Sequence, residues 1–346
     1  MNRFVFDFGS NEDKHCNHHI RKILELLIIK YNYQLLTIQE LLQNRGELLS
    51  YFKERYSVVP DHIISYEGTS DFIDIIDELS TITNISFIVD DIHHSNRIKS
   101  YRRPIFKRAK YLFLTYAYKF LNYFPEIQRD VIFFPHSACY QISFNERPLS
   151  KVLISGHRNE EIYPDREYLI KLSKDPKYKC KLEYYPPDYS GYMIKESESE
   201  KTFGSKYYQL LNHYICSVVD ESVRDYILAK VFEILASGSL LLALNKNTKP
   251  IYRDLGLYDG VHYISVSRED IHDKIDLILD PANRFLIDRI RLNGYNLLYR
   301  EHYYTNRAEF MHKILNKDYE MTITRPFNNT LYSADQFYIM EKYSSD

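Results

Sequence analysis

Short apolar runs alternate with longer stretches of helical periodicity along most of the chain. In the first half, residues 4–8, 63–66, 85–89, 111–115 and 131–134 read as strands. Residues 20–31 and 72–79 read as helices, with more helical material before and between the last two strands. The pattern pauses over residues 135–150, where Asn145 and Pro148 stand among polar neighbours, and then begins again. Strands are expected at residues 151–155, 181–185, 214–219, 239–244 and 262–266, with helices at 168–172, 207–211, 225–235, 271–279 and 285–315. Such alternation favours mostly parallel sheets covered by helices on both faces. Two alternating halves in series place a ligand between the carboxyl ends of their strands. The Glu, Ser and Lys of residues 190–206 mark an exposed loop, and the aromatic, amphipathic run 328–343 reads as a structural tail.

The most informative stretch is residues 225–243, DYILAKVFEILASGSLLLA. Tyr226, Ala229, Val231, Phe232, Ile234 and Leu235 give a helix a broad apolar face, Gly238 supplies the left-handed residue that ends it, and a buried strand follows. Lys230 and Glu233 share one helical face, and Asp225 is expected near the helix start, two turns before Glu233. A carboxylate here can hold a ribose diol, and a lysine one turn away can meet a phosphate. The helix by itself is equally an amphipathic surface helix with solvated charges. The stretch resembles the nucleotide-sugar signature of GT-B glycosyltransferases, in which an acidic residue, seven others and a Glu precede a small-residue-Gly turn. The resemblance covers residues 151–307, and the first half joins it only by its alternation and position. It implies two Rossmann-like domains facing across a cleft, with Glu233 on the nucleotide ribose, Asp225 near the sugar, and Ser237 and Gly238 in the donor-binding turn.

Residues 151–166, KVLISGHRNEEIYPDR, place a strand end at Ser155-Gly156 before a polar loop and a helix start. This is how open sheets present anions to a helix N-terminus. Gly156 permits close backbone approach, and Arg158 and Arg166 offer forked donors for a diphosphate. The segment looks like the opening of a GT-B C-terminal domain. In the first half, Val89-Asp90-Asp91-Ile92-His93-His94 follows an apolar strand directly, where the family's acceptor face lies. Asp91 or His94 can serve there as the base that takes an acceptor proton, and a turn with a capping Asp and surface histidines is the plain alternative. Asp90-Asp91 also resembles the metal-binding acidic pair of GT-A glycosyltransferases, the runner-up architecture. The cluster His15-Cys16-Asn17-His18-His19 is too crowded for a zinc site and reads as the start of a helix near the cleft. GxSxG, P-loop and GxGxxG motifs are missing from the sequence, which argues against a hydrolase, an NTPase and a nicotinamide dehydrogenase.

At 346 residues the chain has room for two domains. The expected boundaries are 1–145 for the acceptor side, 146–320 for the nucleotide-sugar domain, and a tail, 321–346, packing back on the first domain. A formal net charge of −2 gives no reason to expect a nucleic-acid surface. Four scattered cysteines, the lack of an apolar leader and the lack of any bilayer-length apolar run point to a cytoplasmic protein, soluble or peripheral. The expectation is a metal-independent glycosyltransferase with no cofactor, taking a nucleoside diphosphate sugar as donor and a glycan, lipid or protein as acceptor. A non-catalytic sugar or nucleotide binder on the same scaffold is the alternative from another class.

Overall fold

The computed structural model describes residues 2–6, 18–67, 70–93, 96–127, 131–187 and 202–316, and only the backbone of residues 96–98. Strands β1 (Arg3–Phe6), β2 (Gln34–Leu36), β3 (His62–Tyr66), β4 (Asn84–Val89), β5 (Tyr111–Leu114) and β6 (Val131–Phe133) form one sheet in the order β2-β1-β3-β4-β5-β6. Strands β7 (Leu149–Ser155), β8 (Leu182–Tyr185), β9 (Tyr214–Asp220), β10 (Leu240–Leu244) and β11 (Ile264–Val266) form a second, in the order β11-β10-β9-β7-β8. Every strand pair in both sheets is parallel.

Parallel sheets must be covered on both faces, and the two-residue period of each strand divides its side chains between two cores. In the first sheet Phe4, Phe6, Ile63, Phe87, Leu112 and Leu114 enter one core, while Val5, Ile64, Ile88, Phe113 and Ile132 enter another. From the second sheet Leu153, Val219, Leu241 and Ala243 join the first of these cores, so one apolar cluster runs through both halves. Val152, Ile154, Val218, Leu242 and Leu244 face a third core against Ile271, Ile275 and Ile278 of helix Ile271–Leu279.

The expected elements are present with adjusted ends. The helical reading of residues 72–79 divides into a 3-10 turn, Ser70–Asp74, and a helix, Ile76–Ile82. The reading of residues 285–315 as one helical stretch divides into Arg284–Glu301 and Tyr304–Asn316. Edge strand β2 and helices Ile38–Gln43, Leu48–Tyr56 and Lys249–Asp254 come in addition.

At the break the chain crosses back to the first half. Ala138 N donates to His302 O at 3.2 Å, and Tyr304 N donates to Ala138 O at 2.9 Å. Helix Tyr304–Asn316 then buries Ala308, Met311, Ile314 and Leu315 against Ile20, Ile23 and Leu27 of helix His18–Tyr31. Residues 321–346 and most of the 190–206 loop lie outside the described residues. The outgoing connection is strapped by tyrosines: Tyr295 Oη donates to Ile142 O at 2.8 Å, and Tyr299 Oη accepts from Ile142 N at 3.2 Å and donates to Ala236 O at 3.0 Å.

Candidate active site

Strand β7 ends at Ser155, and Gly156 takes φ +114°, a value that side-chain-bearing residues rarely adopt. A Cβ at Gly156 would stand 2.8 Å from Lys230 Nζ and 2.9 Å from Arg166 Nη1. The missing side chain is therefore what lets both cations sit under the strand end. Helix Ala229–Ser237 follows β9, and its first turn carries Lys230, whose Nζ donates to Ser155 O. Burial, and then the neighbouring Arg166, pull the Lys230 ammonium down to about 7, against the opposing pull of Asp220 and Glu233. Glu233 sits one turn further on, and burial pushes its carboxyl up to about 7 despite Lys230. Among the described residues, that carboxylate has no hydrogen-bond or ion-pair partner. It is a half-buried acceptor without a donor, beside a lysine held near neutrality.

The two expected arginines are already engaged. Arg166 is buried; its Nη2 donates to Asp220 Oδ1 at 2.6 Å, its Nη1 to His157 O at 3.0 Å, and its guanidinium lies 3.8 Å from the centre of the Tyr163 ring. Asp220 neutralises it, while the other oxygen of Asp220 is buried without a hydrogen bond. Arg158 is exposed and forks onto Glu167, with Nη2 to Oε2 at 2.7 Å and Nε to Oε1 at 3.1 Å.

Asp225 lies outside the helix, which corrects the sequence reading. It occupies a left-handed turn, φ 55°, and helix Ala229–Ser237 begins four residues later. Its carboxylate pairs with Lys119 Nζ at 2.7 Å and accepts from Asn247 Nδ2 at 2.7 Å, so it ties the first half to the second. Ser237 and Gly238 close the far end of the same helix, about 10 Å along its axis from Lys230 at 1.5 Å per residue. Ser237 Oγ donates to Ile234 O at 2.7 Å, and Gly238, at φ 72°, lies under the Phe144 ring with its carbonyl accepting from Arg291 Nε at 2.9 Å. Both belong to the helix terminus, away from Gly156.

At the carboxyl end of β4, Asp91 Oδ1 lies 3.4 Å from His93 Nδ1. The turn that carries them is framed by Glu67, which accepts from Asp90 N at 2.8 Å and pairs with Arg102; Arg102 Nη1 in turn donates to Asp91 O at 2.5 Å. Burial raises the Glu67 carboxyl to about 7, with Arg102 opposing. Asp90 Oδ1 lies 3.5 Å from His136 Nε2, and His136 also bonds Tyr116 Oη and His19 Nε2, each at 3.1 Å. Burial lowers His136 to about 3, so its imidazole is neutral. His94 lies outside the described residues. His93, not singled out in the sequence, flanks Asp91, one of the two candidate bases, and burial lowers its imidazole while Asp91 opposes. Among the described residues, no group of three or more His, Cys, Asp or Glu side chains is placed to hold a metal ion.

The two half-sites face each other. Tyr226, just ahead of the Lys230 helix, stacks on Tyr116 at 3.8 Å between ring centres and lies 5.5 Å from the His93 ring. Two parallel sheets joined this way, with a returning C-terminal helix and facing loops at their carboxyl ends, constitute the GT-B fold. Solved structures that share it include Anabaena HepE in complex with UDP-glucose, at 10% identity over 92% of this chain and 100% of that one with TM-score 0.56. A glycosyltransferase from Rickettsia africae aligns at 10% identity over 91% of this chain and 98% of that one, TM-score 0.54. The pneumococcal O-GlcNAc transferase GtfA in complex with UDP and GlcNAc aligns at 12% identity and TM-score 0.48 over 79% of this chain, which spans 60% of the length of that one. No family model and no curated protein matches the chain by sequence. The fold sets aside the GT-A alternative: Asp90 and Asp91 follow a strand of the first sheet, while Lys230 and Glu233 lie on the helix that follows β9 of the second. Among the described residues, no helix is long and apolar enough to cross a membrane.

Proposed function

We propose that this chain is a glycosyltransferase that moves a sugar from a nucleoside diphosphate sugar to a hydroxyl of a glycan, lipid or protein. The observation that supports this most is the pairing of Glu233, an unpartnered half-buried acceptor, with Lys230 under Gly156 at the end of β7. A ribose diol supplies the donors Glu233 lacks, and a diphosphate supplies the negative charge that restores Lys230 to its ammonium form. HepE, which shares the fold, was solved with UDP-glucose, and a uridine diphosphate sugar is therefore the first donor to test.

In the proposed reaction the bond from the anomeric carbon to the distal phosphate oxygen breaks, and its electron pair leaves with the diphosphate. The acceptor oxygen forms the new bond, and its proton passes to Asp91, beside His93. Lys230 and the first turn of helix Ala229–Ser237 stabilise the departing charge, which makes a divalent ion unnecessary. Asp225 serves this site as a tether through Lys119 and Asn247.

The test is the release of nucleoside diphosphate from a panel of UDP, GDP and dTDP sugars, with water standing in for the acceptor, with and without EDTA. Slow release from one sugar class, unchanged by EDTA, is the expected result. Saturable binding without turnover would identify a non-catalytic binder instead, and loss of release in EDTA restored by manganese would contradict the metal-free mechanism.

A further inference from the structure

Most cations around the cleft are committed: Arg166 to Asp220, Arg158 to Glu167 and Lys119 to Asp225. Arg224 is different. It is half-buried, yet among the described residues its guanidinium has no ion-pair or hydrogen-bond partner. Holding such a group in partial burial costs free energy unless something supplies acceptors.

The backbone around Arg224 is fixed from both sides. Ser222 and Asp225 are left-handed, φ 59° and 55°, and Arg224 N donates to Ser222 Oγ at 3.2 Å. Val223 N donates to Ile162 O at 2.9 Å, which docks the turn beside Tyr163 and hence beside Arg166. Asp225 is anchored on Lys119, and Ile227 N donates to Tyr118 Oη at 3.0 Å. Tyr226 stacks on Tyr116 and approaches His93. The Arg224 charge is felt at both ends: burial lowers the His93 imidazole next to Asp91 and Arg224 adds to it, while burial raises the Tyr163 phenol next to Arg166 and Arg224 opposes it. The residue therefore stands between the Lys230 pocket and the acidic turn, where the scissile bond lies in the proposed reaction.

We propose that Arg224 grips the distal phosphate of the nucleoside diphosphate, and that the tethered turn from Glu221 to Leu228 exists to hold it there. The inference rests on the glycosyltransferase reading above. A guanidinium can fork onto two phosphate oxygens, and the charge on the distal phosphate grows as the sugar departs. Lys230, packed under Gly156, is left to the proximal phosphate, while Arg166 stays paired with Asp220.

The experiment compares UDP with UMP by calorimetry in the wild type, Arg224→Gln and Arg224→Lys, with circular dichroism and thermal melting to check the fold. The wild type is expected to bind UDP more tightly than UMP. Arg224→Gln is expected to weaken UDP by roughly tenfold to a hundredfold and leave UMP nearly unchanged. Arg224→Lys, which keeps the charge and loses the fork, should fall between them, and it carries the test if the glutamine variant does not fold. A UDP-to-UMP ratio unchanged in both variants overturns the assignment and leaves the general reading standing; a phosphate on the acceptor would give that result. Equal loss of UDP and UMP overturns it too, because the residue would then act on the proximal phosphate or on the fold. A wild-type chain that binds neither nucleotide overturns both this inference and the glycosyltransferase reading.

Discussion

Lys230 and Glu233 share one helix face, and the chemistry of both is altered by their place. Burial holds each near pH 7, from opposite directions, and the charge of each opposes the shift of the other. UDP-glucose has no proton of its own to lose in this range, which makes it the clean ligand for a pH study. Ribose binding favours the Glu233 carboxylate, so affinity should rise as pH climbs toward 7. Phosphate binding favours the Lys230 ammonium, so affinity should fall above 7, where the free lysine has lost its proton and must take one up to bind. The expected profile is bell-shaped around neutrality when measured by calorimetry from about pH 5.5 to 8, below the titration of the uracil ring. Lys230→Met should remove the falling limb and Glu233→Gln the rising one; a flat wild-type profile would show that neither group meets the ligand. In the sequence both residues were singled out by a shared helical face together with the resemblance of residues 225–238 to the GT-B signature, since the helix alone reads equally as a solvated surface. The arginines were not separable in that way, because Arg166 is paired with Asp220, 54 positions away, and only tertiary structure shows that it is occupied. Arg224 was missed for the converse reason: one of 45 Lys and Arg residues, it belongs to no sequence motif, and its lack of a partner is visible only in space.

Among the elements, the helix Ala229–Ser237 separates two glycines with different duties. Gly156 faces its first turn, and Gly238 ends its last. Gly238→Ala places a Cβ 2.8 Å from the Phe144 ring at φ 72° and should cost about 1 to 2 kcal/mol of stability while leaving nucleotide affinity intact. Gly156→Ala drives its Cβ into Lys230 and Arg166 and should abolish most UDP binding. Thermal melts and titrations of the two variants would contradict this division if Gly238→Ala lost binding and Gly156→Ala kept it. Buried parallel strands were the most legible elements, since continuous apolar runs such as that of β10 have little other use. Edge strand β2 has three residues, with Gln34 and Leu35 exposed, and leaves almost no pattern to read. Helix ends were set by partners beyond the sequence window. The long C-terminal run breaks at His302 because its ring bonds Leu255 O at 2.8 Å and Arg307 Nη2 at 2.7 Å, and the signature helix starts late because Asp225 turns to meet Lys119.

Across the whole molecule, strand-helix alternation foretold two parallel sheets with a cleft between them, and the structure has that form. The return of the chain to the first half was anticipated from residues 321–346, whereas Tyr304–Asn316 makes it within the described part. The sequence holds 33 tyrosines. In the fold, Tyr295 and Tyr299 clamp the interdomain connection, while Tyr116, Tyr118 and Tyr226 dock the turn that carries Arg224. Both halves thus meet at the Tyr116–Tyr226 stack, and the proposed function depends on Lys230 and Glu233, on the helix that follows Tyr226, receiving a nucleotide. Calorimetric titration of UDP into the wild-type chain and into Glu233→Ala tests this most directly. The account predicts one site per chain, weakened by about 1.5 to 3 kcal/mol when the ribose loses its charged acceptor. Equal affinity in the two proteins, with the variant folded, would contradict it.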